Sequence, residues 1–586
     1  MLRSQPAPGP MPPFPPPGPR PTPTNPNPVN FGPNVLIFDP SMPMATIQSQ
    51  VNTIQNQQEP NQFGTERIAF FFKPGSYNPL IVQIGYYTTV HGLGLSPDDV
   101  TITGGVESKG NLTKGVALNN FWRGVENLAI TPTDMNLPGQ PTNMWAVSQA
   151  TYLRRLHVKG ELILWDTRFD NAFSSGGFVA DSLIDKQVTS GSQQQFLTRN
   201  TNLTQWNGQV WNMVFVGDEQ PPSASWPVPP FTVVEKTPII REKPYLVVDS
   251  SGNYAVQVPA LKKDSQGISW TSTPDAATTL PINQFYIAQA ATDTADSLNA
   301  ALQQGYHLII TPGVYHLASS LVVNYADTVI LGLGMATLTP DNGTPALTIA
   351  DVDGVSVSGI LFDAGPVQSS SILVVGPSTS NVDHSANPIA LYDLSCRVGG
   401  AAAGLTQNCF TINVNNLILD NVWLWRADHG NGVGWGVNAA QNGLTVNGND
   451  VTAYGLFVEH FEGVQTVWNG NGGSVYFYQS EIPYDVPNQA AWQQNSENGY
   501  PSYKVSSQVT THTAQGLGVY CFFLNPNVQL DNAIETPTGS GIQMQHLVTV
   551  WLGQAPGTSI NHIINGTGGA VSYNAQLTVN IADSQV

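Results

Sequence analysis

Along most of the chain, short apolar runs alternate with turns marked by Gly, Asn and Asp. In Asp351-Val-Asp-Gly-Val-Ser-Val-Ser-Gly-Ile-Leu-Phe362 and Phe410-Thr-Ile-Asn-Val-Asn-Asn-Leu-Ile-Leu-Asp-Asn-Val-Trp-Leu424, each bend falls on a residue that tolerates positive φ. Short strands recurring over roughly 20–30 residues predict a right-handed parallel β-helix, in which each coil stacks its apolar face on the next. The expected fold class is therefore all-β. Two segments break the pattern with helical spacing, Ala45 to Gln58 and Thr294 to Gln304.

Each of those helices precedes one copy of an internal repeat. The first copy reads Lys73-Pro74-Gly75-Ser76-Tyr77, then Leu80-Ile81-Val82, then Val90-His91-Gly92-Leu93-Gly94-Leu95. The second reads Thr311-Pro312-Gly313-Val314-Tyr315, then Leu321-Val322-Val323, then Val329-Ile330-Leu331-Gly332-Leu333-Gly334-Met335. A helix before each first coil would cover an open strand edge. A β-sandwich also has short strands, but it rarely repeats a helix–strand–turn unit at this distance. Two tandem β-helix domains are expected, residues 34–235 and 280–586, joined by a connection over 236–279. The stretch Gln220 to Pro230 leads into that connection, and residues 1–33 read as a disordered Pro-rich tail without a fold role, with thirteen prolines before residue 31.

Composition narrows the partners. Charged residues are 10% of the chain, and 21 basic against 40 acidic residues give a net charge of −19. Such a surface repels phosphate backbones and anionic lipid, so neither nucleic acid nor membrane is an expected partner, whereas a neutral sugar polymer is unaffected. No apolar run is long enough to span a bilayer. Cys396 and Cys409 could close one small loop in an oxidising compartment, leaving Cys521 as a buried thiol. Four Asn-x-Ser/Thr words begin at Asn111, Asn202, Asn342 and Asn565. Met1-Leu2-Arg3 runs into prolines rather than an apolar signal segment, yet an extracellular location is the expectation.

A polysaccharide hydrolase needs a protonated acid at the leaving oxygen, a nucleophile or activated water, and flat aromatic faces for sugar rings. Residues 421–500 gather such parts against a background poor in acids: Trp423, Trp425, Arg426, Asp428, His429, Trp435, Glu459, His460, Glu462, Trp468, Glu481, Tyr484, Asp485 and Trp492. Aromatics in a solenoid are as often stacked inside it. The ten histidines form no His-x-x-x-His pair and no Cys/His spacing suits zinc, so no metal and no cofactor are expected.

Three words in this region resemble glycoside hydrolase family 55: Gly455-Leu-Phe-Val-Glu459-His460, Val467-Trp468-Asn469-Gly470-Asn471-Gly472-Gly473 and Tyr476-Phe477-Tyr478-Gln479-Ser480-Glu481-Ile482-Pro483-Tyr484-Asp485. The resemblance runs from about residue 34 to the C-terminus. It implies β-1,3-glucanase (laminarinase) activity on two tandem pectate-lyase-like β-helices in a ribcage arrangement. It also implies a general acid about twenty-two residues after a second active-site glutamate, the separation of Glu459 and Glu481. Glu481 would be the proton donor, kept protonated by aromatic walls, and Glu459 would tune it. The family inverts and is expected to act from chain ends, with its water held by polar side chains of the first domain. The matching words, Trp145-Ala-Val-Ser-Gln149-Ala150 and Phe173-Ser174-Ser175-Gly176-Gly177-Phe178, make Gln149 and one of Ser174 or Ser175 the candidates. Candidate sugar contacts are Trp435, Trp468, Tyr484, Asp485 and His460, with Gln193 and Gln194 from a further polar word. A monomer acting on neutral β-glucan is expected. Two rivals stand beside this reading. A polysaccharide lyase on the same solenoid would need a basic, Asp-rich groove, which 21 Lys and Arg in 586 residues do not favour. A catalytically inert surface or carbohydrate-binding β-helix fits the proline tail.

Overall fold

The computed structural model describes residues 19–23, 29–170, 172–270 and 276–585. Two parallel β-helices stand side by side. In the first, one 15-stranded sheet climbs from Val35–Phe38 through Arg123–Pro132 and Gln195–Arg199 to Phe231–Val234. In the second, a 12-stranded sheet climbs from Phe285–Ala288 to Ile542–Trp551, and a 10-stranded sheet from Leu321–Val323 to Ser559–Ile564 forms another wall. Between them, the antiparallel pieces Thr237–Arg241 with Leu261–Ser265, and Tyr245–Val248 with Tyr254–Pro259 and Ala277–Pro281, make the connection. Val-, Leu- and Ile-rich interiors fill each solenoid separately.

The two helices sit where the repeat places them. Helix α1, Met44–Gln58, buries Ile47 and Val51 in the first interior, against the strand Gly75–Gln83. Helix α2, Ala295–Gln303, starts from a capping box between Thr294 and Ser297 and buries Leu298, Ala301 and Leu302 in the second. At the far end of the second solenoid, the final strand Thr578–Gln585 pairs antiparallel with Ile542–Trp551 and ends the parallel ladder. Asparagines stack at one corner: Asn447 Nδ2 donates to Asn413 Oδ1 at 2.7 Å, and Asn469 Nδ2 donates to Asn447 Oδ1 at 2.8 Å. Cys396 and Cys409 are disulfide-bonded, and Cys521 is a buried thiol whose pKa burial raises.

Left-handed residues bend many strands of the facing sheets. In the second solenoid these include Asp393, Asn421, Gly455, Phe477 and Gly516, and the strand registers skip at the same places. The outer faces of these bent strands are apolar too, because each solenoid covers the other. Tyr87, Trp122, Tyr152 and Phe178 of the first pack on Tyr392, Trp423, Tyr454 and Phe457 of the second.

Charges lie inside this aromatic seam. Arg154 grips Asp393 with two bonds, of 2.8 and 2.9 Å, and reaches Asp420 at 2.7 Å. Arg199 binds Asp420 through Nε and Nη2, both at 3.0 Å, and Glu242 of the connection at 2.6 and 2.8 Å. Lys243 adds Glu126 at 2.6 Å and Asp393 at 3.3 Å. Burial works against charge on Asp420, but Arg199 and Arg154 outweigh it and hold its pKa low.

One expectation needs correction. The tail is not wholly without a fold role. Arg20 donates to Gly305 O at 2.8 Å and Asp327 O at 3.2 Å, and Phe31 is buried edge-on against Phe71 and Tyr254. An arginine with carbonyl partners and a phenylalanine with an apolar seat are enough to anchor a Pro-rich segment. Residues 1–18 and 24–28 lie outside the described residues. The stretch from Gln220 to Pro230 precedes one more strand of the first sheet, and its Trp226 lies flat on His546 of the second solenoid, centroids 4.9 Å apart.

Two outcomes are expected. Asp420→Ala leaves two buried guanidinium groups short of a partner and should cost about 3–5 kcal/mol, read as a lowered denaturant midpoint; an unchanged midpoint refutes the role given to the network. Phe31→Ala should cost about 3 kcal/mol, and deletion of residues 1–33 at least as much, by the same measurement.

Candidate active site

Two strands of neighbouring coils, Thr452–Glu459 and Gly473–Glu481, each end on a glutamate. Phe457 pairs with Gln479, so the twenty-two-residue separation is one turn of the solenoid and sets Glu459 beside Glu481. The His460 N–H donates to Glu481 O at 2.8 Å and closes the pairing, with His460 itself left-handed at φ 68°. Strand alternation turns Trp423, Trp425, Phe457, Glu459, Gln479 and Glu481 outward, while Leu424 and Val458 point into the interior. The coil before contributes Trp425, in register with Glu459, and the coil after contributes Tyr520, in register with Glu481.

The facing wall comes from the first solenoid. Gln149 Nε2 donates to Glu459 Oε1 at 2.8 Å, and Trp423 Nε1 donates to Glu459 Oε2 at 2.9 Å, so both carboxylate oxygens are held. Ser175 Oγ accepts from Gln195 Nε2 at 2.8 Å, and its N–H donates to Ser148 Oγ at 3.0 Å. Gly176, at φ +100°, brings the two walls together: a β-carbon there would lie 3.0 Å from the Phe457 ring. Between the walls is a cavity of about 370 Å³.

Gln149, Ser175 and Gln194 line it from one side, and Glu459, His460, Glu481 and Tyr484 from the other. Five expected residues are elsewhere. Ser174 is wholly buried and its Oγ has no partner among the described residues, so Ser175 is the serine that faces the cavity. Gln193 is a pin inside the first solenoid, accepting from Gly176 N–H at 2.7 Å and donating to Gly176 O and Val147 O. Trp468 points into the second solenoid's interior, stacked with Tyr503. Trp435 packs on that solenoid's core beneath the Arg426 guanidinium. Asp485 is clamped by Arg426 with two bonds of 2.9 Å and anchors the turn carrying Tyr484.

Phe121, Trp425, Asp428, His429 and Phe522 also line the cavity. Trp425, Asp428 and His429 fall within the dense stretch already singled out, but Phe121 and Phe522 carry no signal in their surroundings. Asp428 is bonded to His429 Nδ1 at 2.9 Å, and His429 Nε2 crosses the cleft to Gln62 at 2.6 Å and Asn119 at 3.1 Å.

The electrostatics separate the carboxyls. Burial, then the charges of Glu459 and Asp428, drive the Glu481 pKa well above the ordinary range. Burial also raises Glu459, to about 7, against the bonds from Trp423, Gln479 and Gln149. Burial opposes the charge of Asp428 too, yet His429 keeps its pKa low. Burial lowers the pKa of His460, keeping the ring neutral against Tyr484, 4.3 Å away. The Tyr484 hydroxyl donates to Glu481 Oε2. At neutral pH this is a protonated acid, Glu481, beside a second carboxyl that gives up its proton more readily, facing polar neutral groups in an aromatic cleft.

A protonated carboxyl in an aromatic cleft on paired β-helices supplies the parts that a glycoside hydrolase needs. A family model of the LAM55 pectate lyase-like domain matches residues 285–481, from the first strand of the second solenoid to Glu481. The chain is 46% identical over 544 residues to an exo-β-1,3-glucanase of Streptomyces sp. (strain SirexAA-E / ActE), covering 93% of this chain and 88% of that protein. The solved structure of sacteLam55A from Streptomyces sp. SirexAA-E matches with a TM-score of 0.91 and 44% identity, covering 96% of this chain and all of that one. A Glu-to-Ala variant of sacteLam55A in complex with glucose matches equally, at 0.91 and 44%, over 97% of this chain. The chain belongs to glycoside hydrolase family 55.

If the Glu459 charge helps hold the proton on Glu481, its removal should release that proton at lower pH. In Glu459→Gln the alkaline limb of kcat/KM is expected to move down by about one pH unit, alongside a loss of rate. A limb that stays in place or moves upward contradicts the coupling.

Proposed function

We propose that this enzyme hydrolyses β-1,3-glucan from a chain end, with inversion at the anomeric carbon. The observation that carries the reading is the division of labour between the walls: both carboxyls stand on the second solenoid, and Gln149 and Ser175 face them from the first. Glu481, protonated, donates its proton to the departing glycosidic oxygen. A water held by Gln149 and Ser175 attacks the anomeric carbon from the opposite face. The water's proton reaches Glu459 through Gln149, whose amide oxygen takes it up while an amide N–H proton passes to Glu459 Oε1, and the charge of Glu459 beforehand favours the protonated form of Glu481.

Inversion is favoured because the two carboxyls are neighbours on one wall. A nucleophilic carboxylate would have to reach the sugar from the side opposite the acid, where the facing residues are neutral. Both Glu459 oxygens are already bonded, to Gln149 and Trp423. Attack at a chain end is supported by His429, which joins the walls through Gln62 and Asn119, and by the modest volume of the cavity. The substrate class is supported by the exo-β-1,3-glucanase from Streptomyces and by the glucose complex of the sacteLam55A variant. We place the enzyme outside the cell as a monomer; the disulfide supports an oxidising compartment.

Glu481→Gln keeps the shape of the side chain but has no proton to give. Turnover of laminarin is expected to fall by roughly 10²–10⁴-fold or more, with glucan binding little changed. NMR of the first-formed wild-type product should show α-glucose. β-Glucose appearing first would mean a covalent intermediate, with Glu459 as the nucleophile. Near-full activity in Glu481→Gln would remove it as the acid.

A further inference from the structure

The two ends of the active-site cavity are built differently. Along the stack it runs from Trp425, Asp428 and His429, past Glu459 and Glu481, to Phe522 and Leu552. At the far end Gln194, Tyr484, Phe522 and Leu552 line it, and among the described residues no hydrogen bond joins these four across the cleft. At the His429 end the walls are tied. His429 Nε2 lies 2.6 Å from Gln62 Nε2 and 3.1 Å from Asn119 Nδ2. Both partners are amide donors, so this ring nitrogen is the acceptor, and Nδ1 carries the proton and donates to Asp428 Oδ1 at 2.9 Å.

Phe63 crosses with Gln62. Both stand on the loop of the first solenoid that leads from α1 to the strand Ile68–Phe72. The Phe63 ring lies parallel to Trp425, centroids 6.4 Å apart, and edge-on to His429 at 5.5 Å. Its tip rests on Gly400 and Gly430, where a β-carbon would stand 2.7 Å from Cε1 and from Cε2. Gly400 and Asn431 exchange backbone hydrogen bonds of 2.9 and 2.6 Å, so the seat is a fixed part of the second solenoid. From its own side the loop is held by Tyr87 Oη, which donates to Gln62 O at 2.5 Å, and by Arg67 Nη1, which donates to Gly64 O at 2.8 Å. The barrier is therefore braced on both bodies.

We propose that Gln62 and Phe63 form the stop behind the chain end, and that this stop limits each cut to a single glucose. Trp425 pairs with Glu459, and the Glu459 strand pairs with the Glu481 strand, so the His429 end and the acid are two coils apart. Two coil spacings are about 10 Å. Less the thickness of the side chains at either limit, that leaves room for one sugar ring. A sugar lying there carries the scissile bond on its anomeric carbon, which makes it the non-reducing terminal residue. The rest of the chain then extends past Glu481 toward Phe522 and Leu552. Gln62 and Phe63 touch no reacting atom; they are positioning residues that act through His429 and Trp425. This rests on the chain-end hydrolysis given under Proposed function.

The test compares wild type, Gln62→Ala and the double variant Gln62→Ala/Phe63→Ala on two substrates. One is laminarihexaose; the other is laminarin whose chain ends have been oxidised with periodate and then reduced. Internal 1,3-linked residues have no vicinal diol and survive that treatment, whereas the terminal ring is opened. Wild type should release glucose alone from the hexaose and leave the capped polymer uncut. The double variant should release laminaribiose and longer products from the outset, and cut the capped polymer at least roughly tenfold faster than wild type. Gln62→Ala should show the same change to a smaller degree. A folded double variant that still yields glucose alone overturns the proposal, because a loop that merely packs the solenoids together leaves the products unchanged. One that is inactive on both substrates overturns it too, since removing a stop widens the choice of bond. If the double variant does not fold, Gln62→Ala decides, and glucose alone from it overturns the proposal. Wild type cutting the capped polymer would instead refute the chain-end reading itself.

Discussion

The buried ion network between the solenoids is the constraint on which the remaining geometry depends. Aromatic packing along the seam is broad and tolerant of sliding, whereas charge pairs are not. Moving one solenoid by a single coil, about 4.8 Å, would part Arg154 and Arg199 from Asp420 and leave ions buried without partners, at several kcal/mol each. Asp420 lies on the strand that also carries Trp423 and Trp425. Fixing Asp420 against Arg154 and Arg199 thus fixes the height at which Gln149 meets Glu459. The connection takes part in the same lock, because Glu242 and Lys243 complete it from between the two bodies.

From that fixed height, the chemistry follows from burial. A carboxyl at the end of an outward strand would ordinarily be solvated and ionised. Here the opposing solenoid removes the water, and both glutamates rise in pKa. What distinguishes them is their partners. Glu459 receives strong donors from Gln149 and Trp423, whereas Glu481 has Tyr484 on one oxygen and the charges of Glu459 and Asp428 nearby. Unequal hydrogen bonding in a shared dry space gives two identical side chains a different hold on a proton. Gly176 serves this arrangement by absence, since the missing side chain lets the walls approach.

Much of the fold is readable from local pattern, since a solenoid is built from interactions between nearby coils. The Pro-Gly and Gly-x-Gly words mark the first coils of both bodies, α1 and α2 form where apolar spacing turns helical, and the Asn-rich turns stack as ladders. The spacing of Glu459 and Glu481 is readable for the same reason, being one coil of twenty-two residues. Cys396 and Cys409 lie on adjacent strands of one coil, so their pairing is local as well. Residues 19–33 are less legible. A Pro-rich segment carries no periodicity, and Arg20 docks on Gly305 and Asp327 while Phe31 seats against Phe71 and Tyr254, none of them within reach of local pattern.

Trp425 and Trp468 show where sequence stops. Both sit on strands among apolar neighbours, yet Trp425 faces the cleft and Trp468 fills the interior. Facing depends on register, and coil length varies: thirty-four residues separate Trp425 from its partner Glu459, twenty-two separate Glu459 from Glu481, and thirty-nine separate Glu481 from Tyr520. Phase cannot be carried from one coil to the next without knowing where each strand bends. The sequence by itself determined the stacked coils, the two bodies with their capping helices and the neighbouring glutamates, because those depend on short-range periodicity. Only the tertiary structure decided that Ser175 rather than Ser174 faces the cavity, that Asp485 and Gln193 support rather than line it, and that Phe121 and Phe522 complete it, because those depend on which faces two separate solenoids turn toward each other.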